Sequence, residues 1–132
     1  MLLNGHGGNA EAVAVAATAL SVELGIRVAA GTYWHVAPEA IAPILERQPG
    51  LLHACEAETA MMLALTPELI DQDELSQMHG AYVPGLAAIP GVNAGVYRWR
   101  QLSSRSPIGV IGDAGAATPE KGREYFRLVT EA

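Results

Sequence analysis

A short apolar run, Met1-Leu2-Leu3, breaks into Asn4-Gly5-His6-Gly7-Gly8-Asn9 and is followed by a long Ala/Val-rich segment. That order predicts a strand, a tight turn and a helix. Asn9 is a suitable N-cap, Glu11 favours the positive helix end and Gly25 is a natural stop, so the helix is expected over residues 10–24. This stretch is apolar almost all round, which predicts packing on several sides, as in a layer covering a sheet. Residues 26–30 read as a second strand, completing a β-α-β unit whose strands should be parallel. His6 then falls at the carboxyl end of a strand, where open α/β sheets build their ligand crevices.

Further along, Gly31-Thr32-Tyr33-Trp34-His35 leads into a helix expected over residues 38–47, opened by Pro38 and ended by Pro49-Gly50. Another helix is expected from about residues 55–57 to Leu65, with Thr66-Pro67 as its stop, and residues 67–75 suggest one short acidic turn. Residues 77–107 are rich in Gly and Pro without a clear period and read as loop with one short strand around 96–99. Thr118-Pro119-Glu120 caps a final amphipathic helix with Tyr125, Phe126 and Val129 on its apolar side.

At 132 residues the chain reads as one domain able to bury a core. Half the residues are apolar but only 5% are aromatic, so that core is expected to be Ala, Val, Leu and Ile. The net charge of −6, with no basic grouping beyond Arg98, Arg100 and Arg105, argues against nucleic acid as a partner. The single Cys55 excludes an internal disulfide and suits a reducing cytoplasm. The most apolar window, residues 12–22, contains Thr18 and Ser21 and is too short to span a bilayer. A cytoplasmic protein without a membrane partner is the expectation.

Two constellations could carry chemistry. The glycines around His6 let a ligand approach the backbone closely. A dinucleotide fingerprint fails at Ala10, where its third glycine should stand, and no Lys-Ser/Thr follows for a phosphate loop. His6 is left as a metal ligand or an acid/base, against the plain alternative of a turn histidine. The second constellation is His53-Ala54-Cys55-Glu56-Ala57-Glu58-Thr59-Ala60-Met61-Met62-Leu63. On a helix, Glu58 shares a face with Met61, Met62 and Leu65. A carboxylate heading an apolar stripe must be paired, protonated or metal-bound. The plain alternative is a first-turn glutamate stabilised by the helix dipole, which suits Glu56 better than Glu58. His53 is either a proton donor or a polar turn residue. Cys55 at a helix start raises a thiol hydrolase as a competing idea. Trp34 and Trp99 could wall a pocket or simply pack.

Taken together, N-G-H-G-G-N after a strand, H-A-x-E-x-E-T-x-M-M-L from His53, and Gly109-Val110-Ile111-Gly112-Asp113 followed by Ala117-Thr118-Pro119-Glu120-Lys121-Gly122 resemble the creatininase (creatinine amidohydrolase) family. The resemblance implies a binuclear site of zinc, manganese or iron that activates water to hydrolyse a cyclic amide or related C–N bond, in an oligomeric enzyme acting on a small-molecule amide. It implies that His6 is a metal ligand and that His53 donates a proton to the leaving nitrogen. Glu58 becomes a metal ligand or the partner of His53, and Trp34 a wall of the substrate pocket beside Gly7 and Gly8. Creatininase itself carries a metal-binding glutamate where this chain has Gly8. Gly8 fits the branch that includes formamide deformylases and peptide-maturation members. Cys55 stands where glycine is usual, and Ala60 where serine is usual. The family's remaining ligands, a close Glu and His and a bridging Asp, belong to an N-terminal half outside these residues.

The expected architecture is therefore α/β: a three-layer α/β/α domain around a mostly parallel sheet, with residues 1–132 as a single partial domain. An open sheet edge and uncovered apolar helix faces are expected, and with them aggregation or obligate pairing. Two functions compete: a metal-dependent amidohydrolase, and an inactive fragment or binding module that keeps the fold without the full metal site.

Overall fold

The computed structural model describes residues 1–36, 38–48, 50–79 and 101–132. The expected strand around 96–99, Trp99, Arg98 and Arg100 lie outside the described residues. Strand β1 (Leu2–Asn4) passes through a short 3-10 turn at Gly7–Asn9 into helix α1 (Ala10–Leu24), which leads to strand β2 (Ala30–Thr32). The strands are parallel, as the β-α-β reading requires, with Leu2 opposite Ala30 and Asn4 opposite Thr32. Helix α1 ends at Gly25 in the left-handed conformation.

Strand β2 lies later than the expected 26–30. Its register is set by a polar interlock: the Asn4 carboxamide donates to the Thr32 hydroxyl at 3.0 Å, and both residues are buried. A buried amide without a partner is costly, so the strands align where these two side chains meet. Residues 26–29 are the approach to the strand, and Ile26 is exposed.

Two helical turns follow, α2 (Tyr33–Val36) and α3 (Pro38–Ile41), and a 3-10 turn at Ala42–Ile44. The continuous helix expected over 38–47 is broken by Pro43, which lacks an N–H and crowds the carbonyl four residues back. Helix α4 (Glu56–Leu65) ends at Thr66-Pro67 as expected. The acidic segment after it forms a 3-10 turn at Pro67–Leu69 and the short helix α5 (Gln72–Leu75), capped by the Asp71 carboxylate. Helix α6 (Pro119–Glu131) starts on Thr118, whose hydroxyl accepts from the Lys121 N–H at 3.2 Å.

Helices α4 and α6 pack directly on each other. Gly122 makes this possible, because a methyl group there would overlap the Ala60 carbonyl. The core gathers Ile41, Leu45, Cys55, Ala57 and Tyr125, with Tyr33, Trp34, Leu52, Met61 and Val129 packed around them. The core thus draws on more tyrosine and tryptophan than an aliphatic composition suggests. Tyr33 and Tyr125 meet edge to face at 6.2 Å, and burial raises both phenols well above their ordinary value.

The buried face of α4 corrects the sequence reading. It carries Glu56, Ala57, Ala60 and Leu63, whereas Met62 and Leu65 are exposed. The carboxylate that heads the apolar face is Glu56, at 1% exposure, and not Glu58. Its charge is matched: the Lys121 ammonium donates to Glu56 Oε1 at 2.6 Å and to the Ala116 carbonyl at 2.7 Å. The Glu46 N–H donates to the same carboxylate at 3.1 Å, and Lys121 also reaches the Glu46 carboxylate at 2.7 Å. Helix α1 departs from expectation too. Ala17 is its buried residue, while Val15 and Val22 stand out in solvent.

Burial alone would lower the Lys121 ammonium, but its hydrogen bonds to Glu46 and Glu56 raise it above the ordinary lysine value. Its contribution is therefore complete at neutral pH and is lost as pH rises through that raised value. Lys121→Met is expected to cost about 3 kcal/mol at pH 7, because Glu56 stays buried without its partner. Urea unfolding of both proteins checks this, and the gap between them should narrow at strongly alkaline pH. A gap that stays constant there would contradict the role given to the ammonium.

Candidate active site

The glycine turn after β1 is held by one side chain. Asn4 Oδ1 accepts from the His6 N–H at 3.1 Å, and Asn4 Nδ2 donates to the His6 carbonyl at 2.9 Å. With the bond to Thr32, the buried carboxamide ties β1, β2 and the turn together, so His6 is presented from a fixed backbone while its ring stays exposed. Nδ1 of that ring accepts from the Gly8 N–H at 3.0 Å. A Cβ on residue 8 would stand only 3.0 Å from the His6 ring, so glycine suits this close approach.

His53 lies across from His6, with ring centroids 6.4 Å apart and nearly perpendicular. It is placed by the closing segment: the His53 N–H donates to the Ile111 carbonyl at 3.1 Å and the Ile111 N–H returns to the His53 carbonyl at 2.8 Å. Beside Ile111, Gly112 takes φ +124 and packs against Gln48 and Cys55, a position that requires glycine. Asp113 is buried, accepts from the His79 ring at 3.0 Å, and receives the Arg47 guanidinium at 3.7 Å. Ala54 follows His53 in the left-handed region, φ 47, which is strained for a residue with a Cβ and turns the chain into α4. The blocks at 4–9, 53–58 and 109–113, far apart in sequence, thus meet at one place.

Glu58 sits in the first turn of α4, half-buried, and its carboxylate accepts from the Cys55 N–H at 3.4 Å, closing the helix start. It also faces Tyr33, whose phenol is raised first by burial and then by the Glu58 charge. Trp34 packs with the core, edge to face on Tyr33 at 4.9 Å, and its ring stands where a Cβ added at Gly7 would meet it in ordinary contact. Trp34, Gly7 and Gly8 therefore border the same turn. Cys55 is fully buried and its Sγ accepts from the Leu52 N–H at 3.4 Å, so it presents no nucleophile to solvent. The structure gives the thiol-hydrolase idea no support.

The arrangement suits proton transfer better than it suits a complete metal centre. Among the described residues, no three His, Cys, Asp or Glu side chains come together as a ligand group. His6 is held with its Nδ1 lone pair engaged by Gly8, which places the proton of the neutral ring on Nε2. A metal at Nε2 needs that proton moved to Nδ1 and the Gly8 contact released. As they stand, His6, His53 and Glu58 do not fit the expected binuclear site, since a catalytic ion takes about three protein ligands. No helix among the described residues is long and apolar enough to cross a membrane.

Sequence reasoning found His6, His53 and the closing segment, but missed Asn4, Ile111 and Lys121 as the groups that position them. Asn4 beside a glycine turn was the available signal, because a short amide before such a bend commonly hydrogen-bonds the backbone just ahead.

The pattern that defines the family described as creatinine amidohydrolase matches residues 1–132. The chain is 32% identical over 126 residues to the mycofactocin precursor peptide peptidase of Mycobacterium ulcerans (strain Agy99), covering 96% of this chain and 42% of that protein. The enzyme of the same name from Mycolicibacterium smegmatis is 30% identical, with 96% and 43% covered. Among solved structures, a Bacteroides fragilis NCTC 9343 protein carrying the creatinine amidohydrolase name superposes with a TM-score of 0.75 at 28% identity, covering 98% of this chain and 48% of that one. A chain described as creatininase Mn gives 0.63 at 26% identity, with 98% and 51% covered. The chain spans less than half the length of these two curated relatives.

Asn4→Ala removes three hydrogen bonds and strands the Thr32 hydroxyl. It is expected to cost about 1–3 kcal/mol and to broaden the His6 ring signals in an NMR spectrum. Unchanged thermal unfolding and unchanged His6 signals would contradict the anchoring role.

Proposed function

The chain belongs to the creatininase family, and on that premise we propose that it hydrolyses an amide-type C–N bond at the turn between His6 and His53. The observation that carries the reading is the face of those two imidazoles, 6.4 Å apart, one on the glycine turn and the other clamped to the closing segment at Ile111. Rings this close and perpendicular can both reach one group placed beside them, and each has a distinct task. His53 hands a proton to the leaving nitrogen, since an imidazole is the side chain best matched to proton transfer near neutral pH. His6 is the side chain that would be offered to a divalent ion, whose chemistry would be to polarise the amide oxygen; holding it would need the Nε2 proton moved to Nδ1 and the Gly8 contact opened. Glu58 holds the start of α4, and with it His53, in position.

The substrate class we infer is an amide within or at the end of a peptide, in preference to creatinine. Two observations support this: the curated relatives above are named as peptidases of a precursor peptide, and residue 8, where creatininase has a carboxylate, is here a glycine held close against the His6 ring. A divalent metal belongs to the reading. It is supported by the neighbour described as creatininase Mn, with His6 as the side chain offered to the ion and the remaining ligands outside the described residues. A binding module that recognises an amide without cleaving it is the competing reading, favoured by the incomplete donor group.

The test is turnover of short peptide amides and of a cyclic amide by the purified protein supplied with manganese or zinc. His53→Gln is expected to lower kcat by about 10²–10³ with little change in KM, the range for loss of a general acid. His6→Ala is expected to lower both metal content and kcat. Equal turnover by His53→Gln and the parent would overturn the proton-donor role, and no turnover of any amide would put the binding module in its place.

A further inference from the structure

The chain bends sharply between His53 and α4, and the bend falls on a residue poorly suited to it. Ala54 has φ 47, and among the described residues it is the single non-glycine with a positive φ. The other positive values there fall on Gly25, Gly109 and Gly112, for which that conformation carries no steric cost. An alanine in the left-handed region crowds its Cβ against the following carbonyl oxygen. Ala54 is only half-buried and lies outside the core cluster, so packing of its methyl group does not account for alanine at this bend.

Both neighbours of Ala54 are fixed. On one side, the His53 N–H and carbonyl are both bonded to Ile111, at 3.1 and 2.8 Å. On the other, Cys55 is fully buried, its N–H donates to the Glu58 carboxylate at 3.4 Å, and its carbonyl accepts from the Thr59 N–H at 2.9 Å. The Thr59 hydroxyl donates to the Ala54 carbonyl itself at 3.4 Å. A strained conformation persists only where the surroundings determine it from both sides.

We propose that Ala54 is a positioning residue, whose Cβ makes this bend a stiff joint that fixes the His53 imidazole relative to Glu58 and the start of α4. The left-handed region open to a residue with a Cβ is small, about 20° wide in φ. Glycine lacks those walls and lets the two fixed bodies rock about residue 54. His53 then keeps its bonds to Ile111 while its relation to Glu58 drifts. The proposal rests on the proton-donor reading of His53, but the stiffness of the joint can be measured without any turnover.

The experiment compares the full 132-residue chain with Ala54→Gly and Ala54→Asn. Asparagine keeps a Cβ and tolerates the left-handed region, so it separates stiffness from strain. Ala54→Gly is expected to unfold at or above the parent's temperature, because the strain is gone. Its kcat on the short peptide amides, with manganese supplied, is expected to fall about 10–100-fold at unchanged KM. Backbone order parameters at residues 54–55 should fall from about 0.85 toward about 0.6. Ala54→Asn should return both readings to the parent's level. Parent-like order parameters in Ala54→Gly overturn the proposal, and so does an Ala54→Asn as mobile as Ala54→Gly. A looser joint with kcat unchanged overturns the positioning role. If the parent itself turns over no amide, the proton-donor reading fails, and the order parameters still decide whether the joint is stiff.

Discussion

A carboxylate at 1% exposure cannot remain charged in a small core without a cation against it, and the pairing of Glu56 with Lys121 is the constraint on which this structure rests. It joins the start of α4 to the start of α6 and draws the backbone at Glu46 onto the same oxygens. Once Glu56 is committed inward, α4 has one rotation available. Ala57, Ala60 and Leu63 face the core, and Glu58 turns to the side where it meets Cys55 and Tyr33. Gly122 then lets α6 come close enough for the ammonium to reach. The ion pair is thus a device for orientation: it decides where the segment carrying His53 leaves the helix.

From that orientation the site follows by short steps. His53 precedes the helix and pairs with Ile111, whose neighbours Gly112 and Asp113 are held by Gln48, His79 and Arg47. His6 arrives from the other side of the fold on a turn anchored by Asn4. Each imidazole is carried by backbone that something else has immobilised, so the two rings are held in a fixed relation to each other. The neighbouring sheet has two strands among the described residues, and the chain leaves the carboxyl end of β1 straight into the turn that carries His6.

Much of this was legible in the chain itself. The turn glycines, Asn9 and Gly25 bracket α1, Thr118-Pro119 opens α6, and the three motif blocks identify the residues that meet. What could not be read is what depends on distant partners. Glu56 and Glu58 are both first-turn glutamates, and nothing local says which one Lys121, 65 positions later, will claim. The shift of β2 depends on Asn4 finding Thr32 across 28 positions. Pro43 is the local exception, a helix breaker inside the expected helix that turns the segment after Ile41 into a 3-10 turn. The exposed valines of α1 mislead for another reason: an all-apolar helix promises covering layers, and whether those layers lie in the same stretch of chain is not a property of its own sequence.

The central claim is that His6 and His53, though they belong to separate parts of the fold, act on one substrate as one site. A double-mutant cycle on kcat/KM tests it most directly, comparing His6→Ala, His53→Gln and the double variant. Groups that act as a unit are strongly non-additive, so the account predicts that the double variant is about as impaired as the worse single variant. Losses that simply multiply would contradict a shared site and would separate the two histidines into independent roles.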